Sequence, residues 1–408
     1  MTGETRFSTK CSLDRELGVV IIGASAAGLY AAYLLAQKGV KVRVFDAQEE
    51  LGPPARTLIV TPYLDEILGA TPPDIVVNRT GTLRLHSPGR SSTVHLGRAD
   101  LIVEREKLVR WLGERAKSAG AEIHLGCRFV GLEPDRECAM LGFEDADGRG
   151  QHVGARIVIG ADGASSQLAP QIGCDSHSQV FLRQAIVSMP SWGSATTTQI
   201  WFDPERTRYF FWLIPESRQR AAVGLIADNE AQAQASLKSF LLEHGLRATE
   251  YQEAQVPRYS WKARISGTAA GARVYLVGDA AAQVKMTTVG GVVTGLWGAQ
   301  AAALSILRGT SYAREAMGLQ RELTIHLLLR QVLNRFTGED YDDLLTLLNR
   351  SATSRPLGYI TRDEAARLLW KVGLAEPRFA LVTLKALLGR QISYRRRVKA
   401  RLRESEIG

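Results

Sequence analysis

The sequence predicts an α/β fold: a Rossmann-like domain, an inserted and mostly antiparallel β-sheet domain, and a C-terminal helical region. Three observations predict it. Residues 18–46, GVVIIGASAAGLYAAYLLAQKGVKVRVFD, read as strand, glycine-rich turn, helix and strand. Residues 173–257 hold short alternating strands instead, VFLRQAIVSM, TTTQIWF, RYFFWLIP and RAAVGLIA, the pattern of an antiparallel sheet. From Thr310 onward the period is helical. The expected division is 17–72, 98–172 and 258–308 for the first domain, 73–97 and 173–257 for the inserted sheet, and 309–408 for the helical region.

With 408 residues, 45% apolar and 23% charged, the chain has the composition of a folded globular protein, which excludes disorder as its main state. No apolar run reaches the roughly 18 residues of a membrane span. The polar start MTGETRFSTKCSLDRELG has no signal core, so a cytoplasmic location is expected. Cys11, Cys127, Cys138 and Cys174 form no C-x-x-C pair and the histidines have no ligand spacing, so neither a disulfide framework nor a metal site is expected.

The first βαβ unit carries the chemistry of a dinucleotide cradle. Its turn, Gly23 to Gly28, reads G-x-S-x-x-G where the fingerprint has G-x-G-x-x-G, so the middle glycine is missing. Gly23 permits the tight turn, and Gly28 lets the helix beginning at Ala26 lie close on the sheet. Small Ser25 leaves the helix N-terminus open to a pyrophosphate. Asp46, ending the second strand, suits the hydroxyls of an adenosine ribose and would repel a 2′-phosphate.

Two later strands end in glycine and an acid: ARIVIGADGASS, with Asp162, and ARVYLVGDAAA, with Gly278 and Asp279. Together with the first turn these motifs, spread over residues 19–307, resemble the FAD-dependent oxidoreductases of glutathione-reductase-like fold, in the branch of aromatic-ring monooxygenases and geranylgeranyl reductases. The resemblance implies FAD as cofactor. It places Asp279 on the ribityl chain and the helix start at Gly290, Gly291 and Val292 beside the flavin ring. It also implies that Arg105, on the helix in VEREKLVRWLGERAK, and Arg56, in GPPARTLIVTP, reach the cofactor. In AEIHLGCRFVGL, read as a strand pair, it puts the main chain of Val130 against adenine. Surface ion pairing is the alternative for both arginines.

Phe210-Phe211-Trp212-Leu213-Ile214-Pro215 resembles the Y-x-W-x-F-P segment of geranylgeranyl reductases, which implies an apolar prenyl channel lined by Phe210, Trp212 and Pro215. Alternate side chains on a strand share a face, so Phe210 and Trp212 form either one wall of a groove or part of a core. The activity implied is flavin-dependent reduction of carbon–carbon double bonds in a prenyl or other apolar chain. Electrons come from a donor that the sequence does not identify, and the catalytic proton donor is equally unassigned. A flavin monooxygenase is the alternative enzyme. Ring hydroxylases usually have His where Ala282 stands, Pro at Met286 and Arg at Ala169, and these departures count against it. Val289 replaces a glycine usual in the reductases. Ser25, Met286 and Val289 together leave open a flavin-binding or membrane-associated partner without turnover.

In the C-terminal region, residues 363–388 read as two amphipathic helices broken near Pro377. The net charge is +9, and residues 389–408 carry seven Lys/Arg against two Glu. That tail is either a solvated end or a contact with an anionic membrane surface. No aromatic-interleaved basic motif suggests nucleic acid.

Overall fold

The computed structural model describes residues 18–52, 54–135, 138–175, 177–350, 356 and 358–378. At its centre is a six-stranded sheet in the order Ser266–Ala269, Ala272–Leu276, Ile157–Gly160, Val19–Ile22, Val42–Phe45, Glu122–His124. All pairs are parallel except the first. Parallel strands covered on both faces read as unbroken apolar runs, and VVII is buried throughout. Its alternate side chains divide between two cores. Val19 and Ile21 pack under the helices Ala26–Ala36, Arg105–Ser118 and Val292–Arg308, while Val20 and Ile22 meet Phe129, Leu141 and Phe143. The latter three belong to a three-stranded antiparallel sheet, Arg128–Asp135, Cys138–Glu144 and Gly150–Ala155, that covers the opposite face.

This arrangement corrects one expectation. The strands within AEIHLGCRFVGL are not partners: Glu122–His124 closes the edge of the parallel sheet, and Arg128–Asp135 enters the small one. Gly126, at φ +67°, turns the chain between them in a conformation that favours glycine.

The second layer is an eight-stranded sheet, ordered Ala248–Pro257, Gln179–Ser188, Arg220–Ala227, Phe211–Pro215, Thr197–Trp201, Val76–His86, Ser91–Glu104, Thr57–Val60. Every pair is antiparallel except Thr197–Trp201 with Val76–His86. The sheet extends past the expected boundaries at 72/73 and 97/98, because Thr57–Val60 pairs with residues 101–104. The helix Glu230–Glu243, capped by Asn229 on the Gln232 amide at 2.9 Å, presses Leu237 and Phe240 onto the outer face beside Phe211 and Leu213. The inner face, with Trp212, Ile214 and Ile226, turns toward the first domain.

Beyond residue 309 the described chain is helical, in Tyr312–Glu315, Met317–Leu333, Gly338–Leu348 and Ala365–Ala375. Thr337 and Asp340 form a capping box on the third of these. Among the described residues no helix is long and apolar enough to cross a membrane. The second helix expected after Pro377 and the basic tail lie outside the described residues.

Candidate functional site

Three strand ends lie in register: Ile22 pairs with Gly160, and Gly160 with Leu276, so the loops that follow emerge side by side. Gly23 turns at φ +102°, and a Cβ there would stand 2.4 Å from the Ala161 carbonyl oxygen. At Gly28 a Cβ would come within 2.2 Å of the Gly23 carbonyl oxygen. The turn therefore lies flat against its own helix, which no side chain at either position would permit. Ser25 caps that helix through Oγ on the Gly28 amide at 3.2 Å, and Ser25, Ala26 and Ala27 line a deep cleft. Across the cleft, Gly278 at φ +62° lets Asp279 reach the same space. A Cβ at Gly291 would approach Asp279 Oδ1 to 3.0 Å, so the start of the second helix is also kept bare.

Arg56, Arg105 and Asp279 converge on this cleft. Burial, with Arg105 adding repulsion and Asp279 opposing, lowers the Arg56 guanidinium to about 10. The Arg105 guanidinium is lowered by burial, against Asp279 and Asp46; the Asp279 carboxyl is raised by burial, against the two arginines. Arg105 Nη1 donates to Gly52 O at 2.6 Å and holds that loop beside the cleft. Arg56 Nε is buried with no hydrogen-bond partner among the described residues. Two guanidiniums, an open helix N-terminus, an acid and glycines whose Cβ would fill the space are a donor set that fits a dinucleotide with a pyrophosphate and a polyhydroxyl chain.

Of the cofactor residues expected from sequence, Ser25, Ala26, Arg56, Arg105, Gly278, Asp279, Gly290, Gly291 and Val292 line this one cleft, and Gly23 and Gly28 shape its floor. Asp46 stands beside the glycine turn, where Oδ2 accepts from the Ala24 amide and Oδ1 from Gln48 at 2.8 Å. One residue differs from expectation. Asp162 does not line the cleft: its Oδ2 accepts from the Gln167 amide at 2.8 Å and closes its own turn. Val130 lies on the small sheet with its side chain 54% exposed, in the segment whose Cys127 amide donates to Asp46 O at 2.8 Å; the expectation for Val130 concerns its main chain.

The cleft continues into an apolar cavity under the eight-stranded sheet, walled by Leu182, Ile200, Phe210, Trp212, Ile226 and Val256. Phe210 and Trp212 share this face, their rings 6.0 Å apart. Pro215 does not line it; strand alternation puts it on the opposite face with Phe211 and Leu213.

Four further residues escaped the sequence reading. Lys285 lines the cavity and is ion-paired with Asp363, which also accepts from Thr61 Oγ1. Arg362, on the same cavity, pairs with Asp100 at 2.8 Å. Burial alone would raise Asp363, but Lys285 and Thr61 hold its carboxyl below the usual range. At Asp100 burial prevails over Arg362 and the carboxyl is raised. The partners lie far apart in sequence, and no local pattern announces them.

A family described as "FAD binding domain" matches residues 97–305, and one described as "NAD(P)-binding Rossmann-like domain" matches residues 21–67. The chain is 32% identical over 305 residues, 69% of its own length and 78% of the relative's, to digeranylgeranylglycerophospholipid reductase 1 of Methanopyrus kandleri. It is 27% identical over 364 residues, 82% of this chain and 90% of the relative, to the digeranylgeranylglycerophospholipid reductase of Methanocaldococcus jannaschii. Among solved structures, a geranylgeranyl bacteriochlorophyll reductase-like protein of Thermoplasma acidophilum shares the fold with a TM-score of 0.76 at 18% identity, over 88% of this chain and 96% of that one. Family match, relatives and cleft agree with the motif reading: the chain belongs to the digeranylgeranylglycerophospholipid reductase family of FAD-dependent oxidoreductases.

Proposed function

We propose that this flavoenzyme saturates carbon–carbon double bonds of a lipid-borne prenyl chain. One observation carries the reading: a single cavity is lined both by the dinucleotide cradle, through Ser25, Asp279 and Gly291, and by the apolar sheet face of Phe210, Trp212 and Ile226. An apolar chain seated on that face lies end-on to the cradle, and its burial contributes about 0.8 kcal/mol per CH₂.

FAD, when bound, supplies the hydride for an alkene carbon. The residues of this chain bind, orient and exclude water. In this reading Ser25 and the Ala26 helix start receive the pyrophosphate, with Gly23 and Gly28 keeping the approach clear. Asp279 accepts from the ribityl hydroxyls, Asp46 takes the ribose, and Arg56 and Arg105 balance the phosphate charge. The bare backbone from Gly290 to Val292 directs helix N–H groups toward the ring end. The Rossmann-like segments hold the cofactor and the inserted sheet holds the chain to be reduced. Trp212 and its neighbours keep the reacting end dry, as an unactivated alkene requires.

The test is anaerobic: the dithionite-reduced holoprotein is mixed with a digeranylgeranylglycerolipid, and flavin reoxidation without oxygen together with a product heavier by two hydrogens is the expected result. Absence of reoxidation, with a hydroxylated product formed only in air, would establish the monooxygenase instead.

A peripheral contact with anionic membrane completes the reading. Its supports are the seven Lys/Arg of residues 389–408 and the exposed Leu369, Trp370 and Leu374 on helix Ala365–Ala375. Deletion of residues 390–408 is expected to weaken binding to phosphatidylserine vesicles with FAD content unchanged, and undiminished binding refutes it.

A further inference from the structure

Val289 is the one β-branched residue at positive φ among the described residues, at φ +53°; the other non-glycine cases are Ala270 and Ala282. Left-handed backbone is strongly unfavourable for a β-branched side chain and free of cost for glycine. The conformation is imposed by a tight loop in which the Val289 amide donates to Lys285 O at 2.7 Å and the Lys285 amide to Gly290 O at 3.2 Å. The side chain that bears this strain is only 6% exposed and lines the cavity. It packs in one cluster with Trp212, Ile102 and Val284, with Phe210 and Ile59 against it. Gly290 and Gly291, which follow it in the same loop, are bare and face the cradle. The isopropyl group therefore stands where the apolar cavity meets the cofactor cleft, at a position whose backbone would be relaxed with no side chain at all.

We propose that Val289 is a specificity-determining residue: its strained side chain narrows the cavity at the reacting end and selects against acceptors whose branches are larger than methyl. The proposal rests on the prenyl reading above. Removing the isopropyl opens the space of a branched alkyl group, and a misfit of one or two carbons in an apolar pocket is worth roughly ten- to two-hundredfold in discrimination.

The experiment uses the FAD-loaded protein and calorimetric titration with two alcohols, a methyl-branched prenyl alcohol and its ethyl-branched analogue. Wild type is expected to favour the methyl compound. The preference should fall on the order of tenfold in Val289→Gly and increase in Val289→Leu. Thermal unfolding supplies a readout independent of ligand: at a strained site Val289→Gly melts above Val289→Ala, the reverse of the order at a relaxed one. If the glycine variant does not fold, the leucine variant still reads the preference in the opposite direction. A preference insensitive to residue 289, or an alanine variant that melts above the glycine variant, overturns the proposal while leaving the prenyl reading intact. Failure of the wild type to bind either alcohol overturns both.

Discussion

Lys285 and Asp363 are ion-paired in the interior, with side-chain exposures of 8% and 1%, and so join the loop beside the cofactor cleft to the C-terminal region. Removing one partner leaves a buried charge uncompensated. Asp363→Ala is expected to cost about 3–5 kcal/mol in urea unfolding, whereas the double replacement Lys285→Met with Asp363→Leu recovers most of that loss. A double variant no more stable than the single one would show that the pair itself contributes the stability.

The glycine turn makes a sharper prediction about cofactor than about fold. Gly28→Ala places a methyl group on the Gly23 carbonyl oxygen, 2.2 Å away before relaxation, and the turn must open. FAD per chain, read from visible absorbance, is expected to fall at least about tenfold, because the helix start no longer meets the pyrophosphate squarely. Asp279→Asn keeps the shape and loses charge-assisted hydrogen bonds, for a cost of about 1.5–3 kcal/mol in FAD binding by titration of the apoprotein.

Strand alternation separates function from stability at adjacent residues. Trp212 faces the cavity and Phe211 faces helix Glu230–Glu243, where it stacks on Phe240 at 4.6 Å between centroids. Trp212→Ala is expected to raise KM for a prenyl lipid roughly tenfold or more with FAD content retained. Phe211→Ala should leave KM near the wild-type value and lose about 3–5 kcal/mol of stability. Steady-state kinetics beside denaturation curves would reveal any exchange of these roles.

His326 gives a pH signature. Burial, with repulsion from Lys285 and some relief from Asp363, lowers its imidazole to about 3, and Nδ1 lies 2.6 Å from Thr287 Oγ1. The folded protein therefore keeps it neutral while the unfolded chain protonates it near 6.5, so its contribution is complete above that pH and is lost progressively as pH falls toward about 3. The slope from this one residue approaches about 1.4 kcal/mol per pH unit. In His326→Gln the unfolding free energy measured between pH 6.5 and 4 should decline less steeply; an unchanged slope would mean that the imidazole charges without penalty.

Much of the cradle was legible because its signals are local. Gly23, Ser25 and Gly28 sit within one turn whose spacing announces it, whereas Asp279, Gly290 and Gly291 were reached through the family resemblance of the segment that carries them. The large sheet was legible from its period, but its edge was not: Thr57–Val60 joins through pairing with residues 101–104, which no alternation within either segment specifies. Pro215 came with the family motif, but strand parity sets it opposite Phe210 and Trp212 whatever the strand's first residue. Asp162 has the motif position but uses its carboxylate on its own turn. Lys285 with Asp363 and Arg362 with Asp100 were invisible, since an ion pair between distant segments leaves no mark in sequence spacing.

The parallel seam between Thr197–Trp201 and Val76–His86 bears on how the molecule is made. Asn78 Nδ2, beside that seam, donates to Ala195 O across 117 positions of chain. A polypeptide emerging from the ribosome cannot complete its hydrophobic roof until the second of those segments has been synthesised, and contacts of such long sequence separation are slow to form. Until then the strand Val76–His86 presents an open border to other chains, a period in which chaperone protection would govern the yield of folded protein.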